Sequence, residues 1–235
     1  MKSAERKSNF TLNPTNGDGV DVLSVSSDGQ LVVRQWRDRQ LHVYSADCHH
    51  VKSIKLPNND EVCNAVWTRR GNIVYSDFNS GKVVTMSQSG DVIQQTNVSR
   101  HTYLSVSTDG VIYLISDPTS VYQSTDHGVT WSLVFHVTDG YEYGQVIQVS
   151  TDSNTDVLWT VVRSGGDRRL RLCTVDRRRA VGDNVTWRDV TVPSHVTVDL
   201  YSRLAYDGHS VFVTDYNSEV VHVWSASGQD DRQLV

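Results

Sequence analysis

An internal repeat is the feature of this sequence that most constrains its fold. Five segments, beginning near residues 23, 65, 104, 147 and 204, share an apolar run, a turn and a second run rich in Val, Ile and Tyr. Their equivalent positions are separated by 42, 39, 46 and 53 residues: Leu31, Ile73, Ile112, Leu158 and Val211. A period of about 40–50 residues made of short strands is typical of β-propeller blades.

Each repeat predicts antiparallel strands joined by tight turns. Asp28-Gly29 and Asp109-Gly110 stand between β-rich runs, where glycine accepts a positive φ without a Cβ clash. The runs that follow lack polar alternation, which predicts strands buried on both faces between neighbouring blades: residues 31–33, 73–75, 112–114, 158–159 and 211–213. No window shows an apolar stripe with helical spacing, so we expect almost no helix.

These observations predict an all-β protein, a β-propeller of four-stranded antiparallel blades. Five blades are readable over residues 20–235, and six blades, one of them degenerate and hidden in 176–205, are the alternative. We expect residues 1–19 to form an N-terminal segment that contains a ring-closing strand at 8–12. Ring closure matters because an open propeller would expose two sheet edges.

Composition limits the class of protein. Hydrophobic residues make up 38% and charged residues 21%, with a net charge of -5, which indicates a soluble globular chain. No stretch approaches the roughly 20 apolar residues of a membrane helix. The acidic balance excludes a uniformly basic protein that coats nucleic acid, although it permits a local basic face. The N-terminus lacks the apolar core of a signal peptide, so we expect a cytoplasmic, monomeric domain without a membrane partner.

The cysteines and histidines predict neither a disulfide framework nor a metal site. Cys48, Cys63 and Cys173 are odd in number and show no CxxC spacing, so we expect free buried thiols. One bridge, between Cys48 and Cys63, stays open as an alternative for a secreted chain. His49-His50 is the sole adjacent histidine pair, and neighbouring side chains on a strand point to opposite faces. We therefore expect no metal and no cofactor.

Two repeats resemble a known family. The segments Asp-Phe-Asn at 77–79 and Asp-Tyr-Asn at 215–217 follow an apolar strand and precede a strand that ends in a glycine turn. This pattern is similar to the NHL repeat; the likeness spans residues 20–235 and is close in these two units. NHL propellers form the C-terminal domain of many tripartite-motif ubiquitin ligases, where they bind RNA or protein. The resemblance implies a non-enzymatic binding module, with any ligase activity in another region of a larger protein.

A second motif lies in the third repeat. Residues 124–131, Ser-Thr-Asp-His-Gly-Val-Thr-Trp, resemble an Asp-box. In such a hairpin tip the carboxylate of Asp126 accepts backbone N–H groups, Gly128 takes a positive φ and Trp131 packs behind the turn. Asp-boxes lie away from propeller active sites, so the expected role is structural. Together with three N-glycosylation sequons, the motif leaves open a carbohydrate-binding or extracellular propeller, and less readily a glycoside hydrolase.

Arginines mark a candidate binding face. In a four-stranded blade, the connections from the second to the third strand and from the fourth strand to the next blade emerge on one face, here called the top face. Arginines from several blades lie there and could bind phosphate groups, with an aromatic ring stacking on a base. The candidate residues for binding RNA or a protein partner are Arg37, Arg39, Arg100, His101, Arg168, Arg169 and Tyr216. The alternative is an ordinary charged surface interleaved with carboxylates.

Overall fold

Five four-stranded antiparallel sheets make up the computed structural model of this chain. Each sheet is one blade, and its strands follow chain order from the innermost to the outermost. The described residues contain no α-helix. The structure describes residues 20–234 apart from 27, 36–37, 58–59, 99–101, 108, 117–118, 137–141, 152–154, 165–166, 177, 180–184, 194–195, 199–201, 208, 216–219 and 228–230.

The first three blades have strands of four to six residues. Blade 1 comprises β1 (Val20–Val25), β2 (Leu31–Gln35), β3 (Gln40–Tyr44) and β4 (His50–Lys55). Blade 2 comprises β5 (Val62–Trp67), β6 (Ile73–Asp77), β7 (Lys82–Met86) and β8 (Val92–Asn97). Blade 3 comprises β9 (Tyr103–Val106), β10 (Ile112–Ser116), β11 (Ser120–Ser124) and β12 (Ser132–His136).

The last two blades differ in size. Blade 4 has long inner strands and comprises β13 (Glu142–Thr151), β14 (Thr155–Ser164), β15 (Asp167–Asp176) and β16 (Val185–Val190). Blade 5 comprises β17 (Leu204–Tyr206), β18 (Ser210–Thr214), β19 (Val221–Ser225) and β20 (Asp231–Leu234). The five-blade prediction is confirmed: in the described part of 176–205, β16 completes blade 4 and no further sheet intervenes.

The core lies between blades, as the unbroken apolar runs predict. The second strands of blades 2 and 3 are buried along their whole length. One cluster of buried apolar side chains fills each of the four junctions between consecutive blades. In the order 1–2, 2–3, 3–4 and 4–5, the clusters include Val32 and Tyr75, Val74 and Leu104, Tyr113 and Leu158, and Trp159 and Trp224. Because the second strands of blades 2, 3 and 4 each contribute to two clusters, alternation with polar residues is not possible there.

The junction between blade 5 and blade 1, called the seam, is different. Among the described residues no buried apolar cluster joins these two blades. Val32 packs toward blade 2 and Val211 toward blade 4, so their neighbours Leu31 and Phe212 face the seam. Both of these side chains are half-buried, whereas their counterparts in blades 2 and 3 are buried. The N-terminal strand predicted at 8–12 lies outside the described residues, and blade 5 has four strands without it.

Serine and threonine side chains fix the hairpins of the bottom face, the face opposite the top. In blades 1 to 3, each bottom hairpin has a hydroxyl that accepts the N–H of the residue four positions later. The acceptor and donor residues are Ser26 and Gln30, Ser45 and His49, Thr68 and Asn72, Ser87 and Asp91, Ser107 and Val111, and Ser124 and Gly128. These bonds keep each turn compact without help from another blade.

Candidate functional site

The innermost strands of all five blades surround a central channel. Because each of them follows a top-face connection, each runs from the top face to the bottom face. A cavity of about 370 Å³ occupies the channel, and each innermost strand contributes to its wall through residues such as Val25, Val66, Leu104, Ile147 and Ala205. The wall includes the last residues of β1, β9 and β17, so the cavity extends to the bottom end of the channel.

The cavity wall is mainly apolar, and three of its polar side chains already have hydrogen-bond partners. The Ser24 hydroxyl accepts the Trp67 N–H at 3.2 Å, and the Gln145 side-chain oxygen accepts the Leu204 N–H at 2.9 Å. The Ser105 hydroxyl donates to the Val146 carbonyl. Each of these bonds ties one innermost strand to its neighbour. The cavity therefore offers a ligand mainly apolar contact.

Ion pairs lie at the top of the innermost strands. The Arg34 guanidinium donates to the Asp21 carboxylate and to the Val62 carbonyl, which joins blade 1 to blade 2. In blade 4, the Arg163 guanidinium donates to the Glu142 carboxylate through two nitrogens. Each arginine is thus neutralised by a carboxylate of its own blade, which reduces its attraction for a phosphate group.

Cys63 lies at a β-bulge near these ion pairs, where the pairing of β5 with β6 shifts between Val62 and Asn64. Burial raises the pKa of the Cys63 thiol, although the charges of Arg34 and Arg203 oppose this effect. The thiol is therefore neutral at physiological pH. The prediction of free thiols is confirmed for all three cysteines; Cys173 is buried, and Cys48 and Cys63 are half-buried.

One predicted arginine of blade 4, Arg169, belongs to a network of carboxylates and aromatic rings. Arg169 donates to Asp167 at 2.9 Å and to Asp189 at 2.5 Å. Arg171, which the sequence analysis did not select, is only 6% exposed; it donates to Asp189 at 2.9 Å and to the Tyr143 hydroxyl at 3.0 Å. Partial burial would raise the pKa of Asp189, but its bonds to the two arginines lower it.

The structure describes only some of the other residues predicted to bind RNA or a protein partner. Arg39 and Arg168 are exposed, next to connections from a second to a third strand, as the face assignment requires. Four others lie outside the described residues: Arg37, Arg100, His101 and Tyr216. Around Arg163 and Arg169 the described top face carries the carboxylates of Glu142, Asp167 and Asp189, which pair with these arginines.

Blade 2 contains a buried, hydrogen-bonded pair of a tyrosine and an aspartate, which the sequence did not predict. The Tyr75 hydroxyl donates to the Asp60 carboxylate at 2.6 Å, and both residues are buried. Burial raises the pKa of Asp60, although the bond from Tyr75 lowers it; burial also raises the pKa of Tyr75. The partners are 15 residues apart and come from a connection and a central strand, so no local motif marks them.

The first Asp-x-Asn segment forms a turn, whereas Tyr216 and Asn217 of the second lie outside the described residues. The Asp77 carboxylate accepts the N–H groups of Asn79 at 3.2 Å and Ser80 at 2.9 Å. It also accepts the Glu61 N–H at 2.8 Å, and so holds the connection that enters blade 2. Asp215 does the same in blade 5, where it accepts the Thr197 N–H at 3.0 Å. These aspartates position backbone and are not open to a ligand.

The Asp-box also has the predicted structural role. The Asp126 carboxylate accepts the N–H groups of Val129 at 3.2 Å and Thr130 at 2.9 Å, together with the hydroxyls of Ser124 and Thr130. Trp131 packs against the apolar cluster between blades 2 and 3. Burial alone would raise the pKa of Asp126, but the bonds from Thr130, Ser124 and Val129 lower it to about 2.

Within the described ranges, no group of three or more His, Cys, Asp or Glu side chains is arranged to hold a metal ion. The part of the chain that the structure describes also holds no helix with the length and apolar character needed to cross a membrane.

No protein-family model and no curated protein sequence matches the chain. Its fold, however, is shared by many solved structures. Virginiamycin B lyase from Staphylococcus aureus superposes with a TM-score of 0.62 at 13% identity, over 95% of this chain and 72% of that one. A gluconolactonase from Xanthomonas campestris gives 0.63 at 14% identity, over 93% and 76%. YCF48 bound to D1 peptide gives 0.55 at 15% identity, over 92% and 67%.

The five sheets define the class of the protein as a five-bladed β-propeller, and at such low identity these likenesses establish the fold alone. They do not include a tripartite-motif ligase domain, so the NHL resemblance is not confirmed beyond the propeller architecture. The expectation that the domain is not an enzyme is corrected. Structures with this fold include a lyase and gluconolactonases, so the fold is compatible with catalysis and gives no ground for excluding it.

Proposed function

We propose that this propeller binds a small, largely apolar molecule in the lower part of its central channel. The observation that supports the proposal is the cavity itself. Its volume of about 370 Å³ lies in the range of small-molecule sites, and its wall combines Val, Leu, Ile and Ala with polar groups that are already hydrogen-bonded. A ligand without many polar groups loses little hydration there and gains contact with apolar residues of all five innermost strands.

We propose the bottom end of the channel as the entrance for an apolar ligand. Val25 ends β1 at that side and is 56% exposed, although its side chain is apolar. At the opposite end of the innermost strands lie polar groups, the Arg34 ion pair and the half-buried Cys63. A molecule that enters from the bottom meets the apolar wall first.

RNA or a protein partner on the top face stays a prediction from the sequence. Binding of RNA gains strength mainly from phosphate neutralisation, which requires arginines whose charge is not already matched. The ion pairs of Arg163 and Arg169 weaken that argument. We therefore give the channel, and not the top face, as the site of binding.

The test compares two tryptophan substitutions. Ala205→Trp places a large ring in the cavity wall, and Val51→Trp places the same ring on β4, where Val51 is 53% exposed at the periphery. Binding of N-phenylnaphthylamine is followed by fluorescence, and a set of apolar fragments is screened by saturation-transfer NMR. We expect wild type and Val51→Trp to bind alike and Ala205→Trp to lose binding at an unchanged Tm.

Two results would contradict the proposal. One is equal binding by Ala205→Trp and wild type, which would place any ligand elsewhere. The other is failure of the wild-type protein to bind either the fluorescent probe or any apolar fragment.

A further inference from the structure

The outer edge of blade 2 lacks the charges that protect the other edges. Strand β8 reads Val-Ile-Gln-Gln-Thr-Asn and contains no charged residue, and Val92 and Ile93 are 41% and 47% exposed. By contrast, β4 contains two lysines, and β16 and β20 each contain an arginine and an aspartate. Strand β12 is also free of Lys, Arg, Asp and Glu, but its Val134 and Phe135 are buried.

The backbone of β8 alternates between its partner strand and the open edge. The Val98 N–H, just after β8, donates to the Gly81 carbonyl at 2.8 Å, which fixes the inward-facing positions. Since inward and outward residues alternate in an antiparallel ladder, Gln95 and Asn97 direct their N–H and C=O groups outward. The Gln95 carbonyl receives only a long bond of 3.4 Å, from the side-chain amide of Gln94.

The described part of the chain does not cover this edge. Strand β8 is the last in its sheet order and pairs with β7 alone. An uncharged edge with exposed β-branched residues and outward backbone groups is a template for another extended strand.

We propose that β8 pairs with β8 of a second copy of this chain, antiparallel and about a two-fold axis at Gln95. Such an interface is self-complementary, since each copy presents the same patch to the other. In this register Gln95 faces its own copy, and the β-bulge between Val92 and Gln94 leaves Ile93 outside the regular ladder. No like charges meet, whereas a similar pairing through β4 would bring Lys52 and Lys55 together.

This register also explains why a second copy suits the edge better than an unrelated peptide. Val92 and Ile93 lie at one end of β8, so the two-fold axis places one apolar end at each side of the joined strands. The contact joins two blade sheets into one continuous sheet and leaves the channel cavity of each molecule unobstructed. It replaces the expectation of a monomer, and it does not depend on the ligand proposed above.

The experiment measures association by size-exclusion chromatography with light scattering over a wide range of protein concentration. We expect a reversible dimer. Gln95→Lys places two ammonium groups across the axis, and like charges at an interface cost several kcal/mol, so the dimer Kd should rise by about tenfold or more. Thr186→Lys, at an exposed position on the edge strand β16, is the matched control and should leave the Kd unchanged.

Charge pairing then tests the register. Gln95→Glu alone should also weaken the dimer, and an equimolar mixture of Gln95→Lys and Gln95→Glu should restore it, because the axis then joins opposite charges. A wild-type protein that stays monomeric at every concentration would overturn the proposal. A dimer that Gln95→Lys leaves intact, or a mixture that fails to recover association, would also overturn it. Because Gln95 is exposed, all variants should keep the wild-type Tm at protein concentrations below the dimer Kd, where association adds no stability.

Discussion

Single aspartates determine several turns of this propeller. Asp126 receives four hydrogen bonds within its own hairpin, and Asp77 receives bonds both from its own turn and from the connection into blade 2. A carboxylate that accepts several N–H and O–H groups fixes the backbone around it, so its removal leaves donors without partners. The cost of such a change appears in folding stability.

Asp126→Ala should reduce the free energy of unfolding by about 1–3 kcal/mol, because it removes the acceptor for Val129 and Thr130. The pKa of Asp126 is about 2 in the folded protein, below its ordinary value of 3.8. A lowered folded-state pKa contributes stability above the unfolded-state pKa, and this contribution is lost as pH falls through the folded-state pKa. The difference in unfolding free energy between wild type and variant should therefore reach its largest value above about pH 4 and shrink toward pH 2.

Urea denaturation at several pH values measures this difference. Thr125→Ala, at the exposed neighbouring position, serves as the control and should show little change at any pH. A difference for Asp126→Ala that stays constant from neutral pH to pH 2 would show that the carboxylate charge does not support the hairpin.

At the scale of elements, the Asp-box hairpin of blade 3 is also a contact with blade 2. The Thr85 hydroxyl donates to the Gly128 carbonyl at 3.0 Å. Gly128 has φ +86°, and a Cβ there would lie 2.8 Å from a methyl of Val74 and 2.8 Å from the Thr85 hydroxyl oxygen. Glycine is therefore required at this position both by the backbone conformation and by the close approach of two blades.

Gly128→Ala should destabilise the protein by about 2 kcal/mol or more, since it adds a steric clash to the cost of a left-handed conformation. Gly71→Ala is the matched control: its φ is +79°, but the new Cβ would meet only the flexible end of Gln88. Its cost should be near 1 kcal/mol, about that of the conformation alone. Thermal and urea unfolding measure both variants. If Gly128→Ala and Gly71→Ala lose the same unfolding free energy, the clash with blade 2 is relieved without cost.

The elements and their turns could be predicted because their causes are local in sequence. The apolar triplet at 73–75 and the bonds of Asp126 involve neighbours a few positions apart, and the structure confirms both. The cavity, the Asp60–Tyr75 pair and the pairing of Arg171 with Asp189 could not be predicted in this way. They join distant segments, and their formation depends on how blades are placed around the axis.

At the scale of the whole molecule, the five junctions are not equivalent. Four contain a buried apolar cluster, and the described residues of the seam contain none. Apolar burial contributes most of the free energy that holds neighbouring blades together. The ring should therefore open at the seam before it opens elsewhere.

Hydrogen–deuterium exchange measured by mass spectrometry tests this order. Amides of β1 and β18 should exchange faster than those of β6 and β10, whose strands are buried along their whole length. The comparison is made on the native protein without denaturant. Equal protection of all four strands would show that the seam is as stable as the other junctions.

The hydroxyl-locked hairpins of the bottom face have an evolutionary consequence. Each of these hydroxyl–amide hydrogen bonds joins residues only four positions apart and lies inside one blade. When the coding segment of a blade is duplicated or lost, the residues that fix its turns are therefore duplicated or lost with it. The buried clusters between blades are apolar and non-directional, and accept a new neighbour more easily than the hydrogen bonds between innermost strands would. A lineage of such propellers can therefore change its number of blades by unequal recombination while every surviving hairpin remains intact.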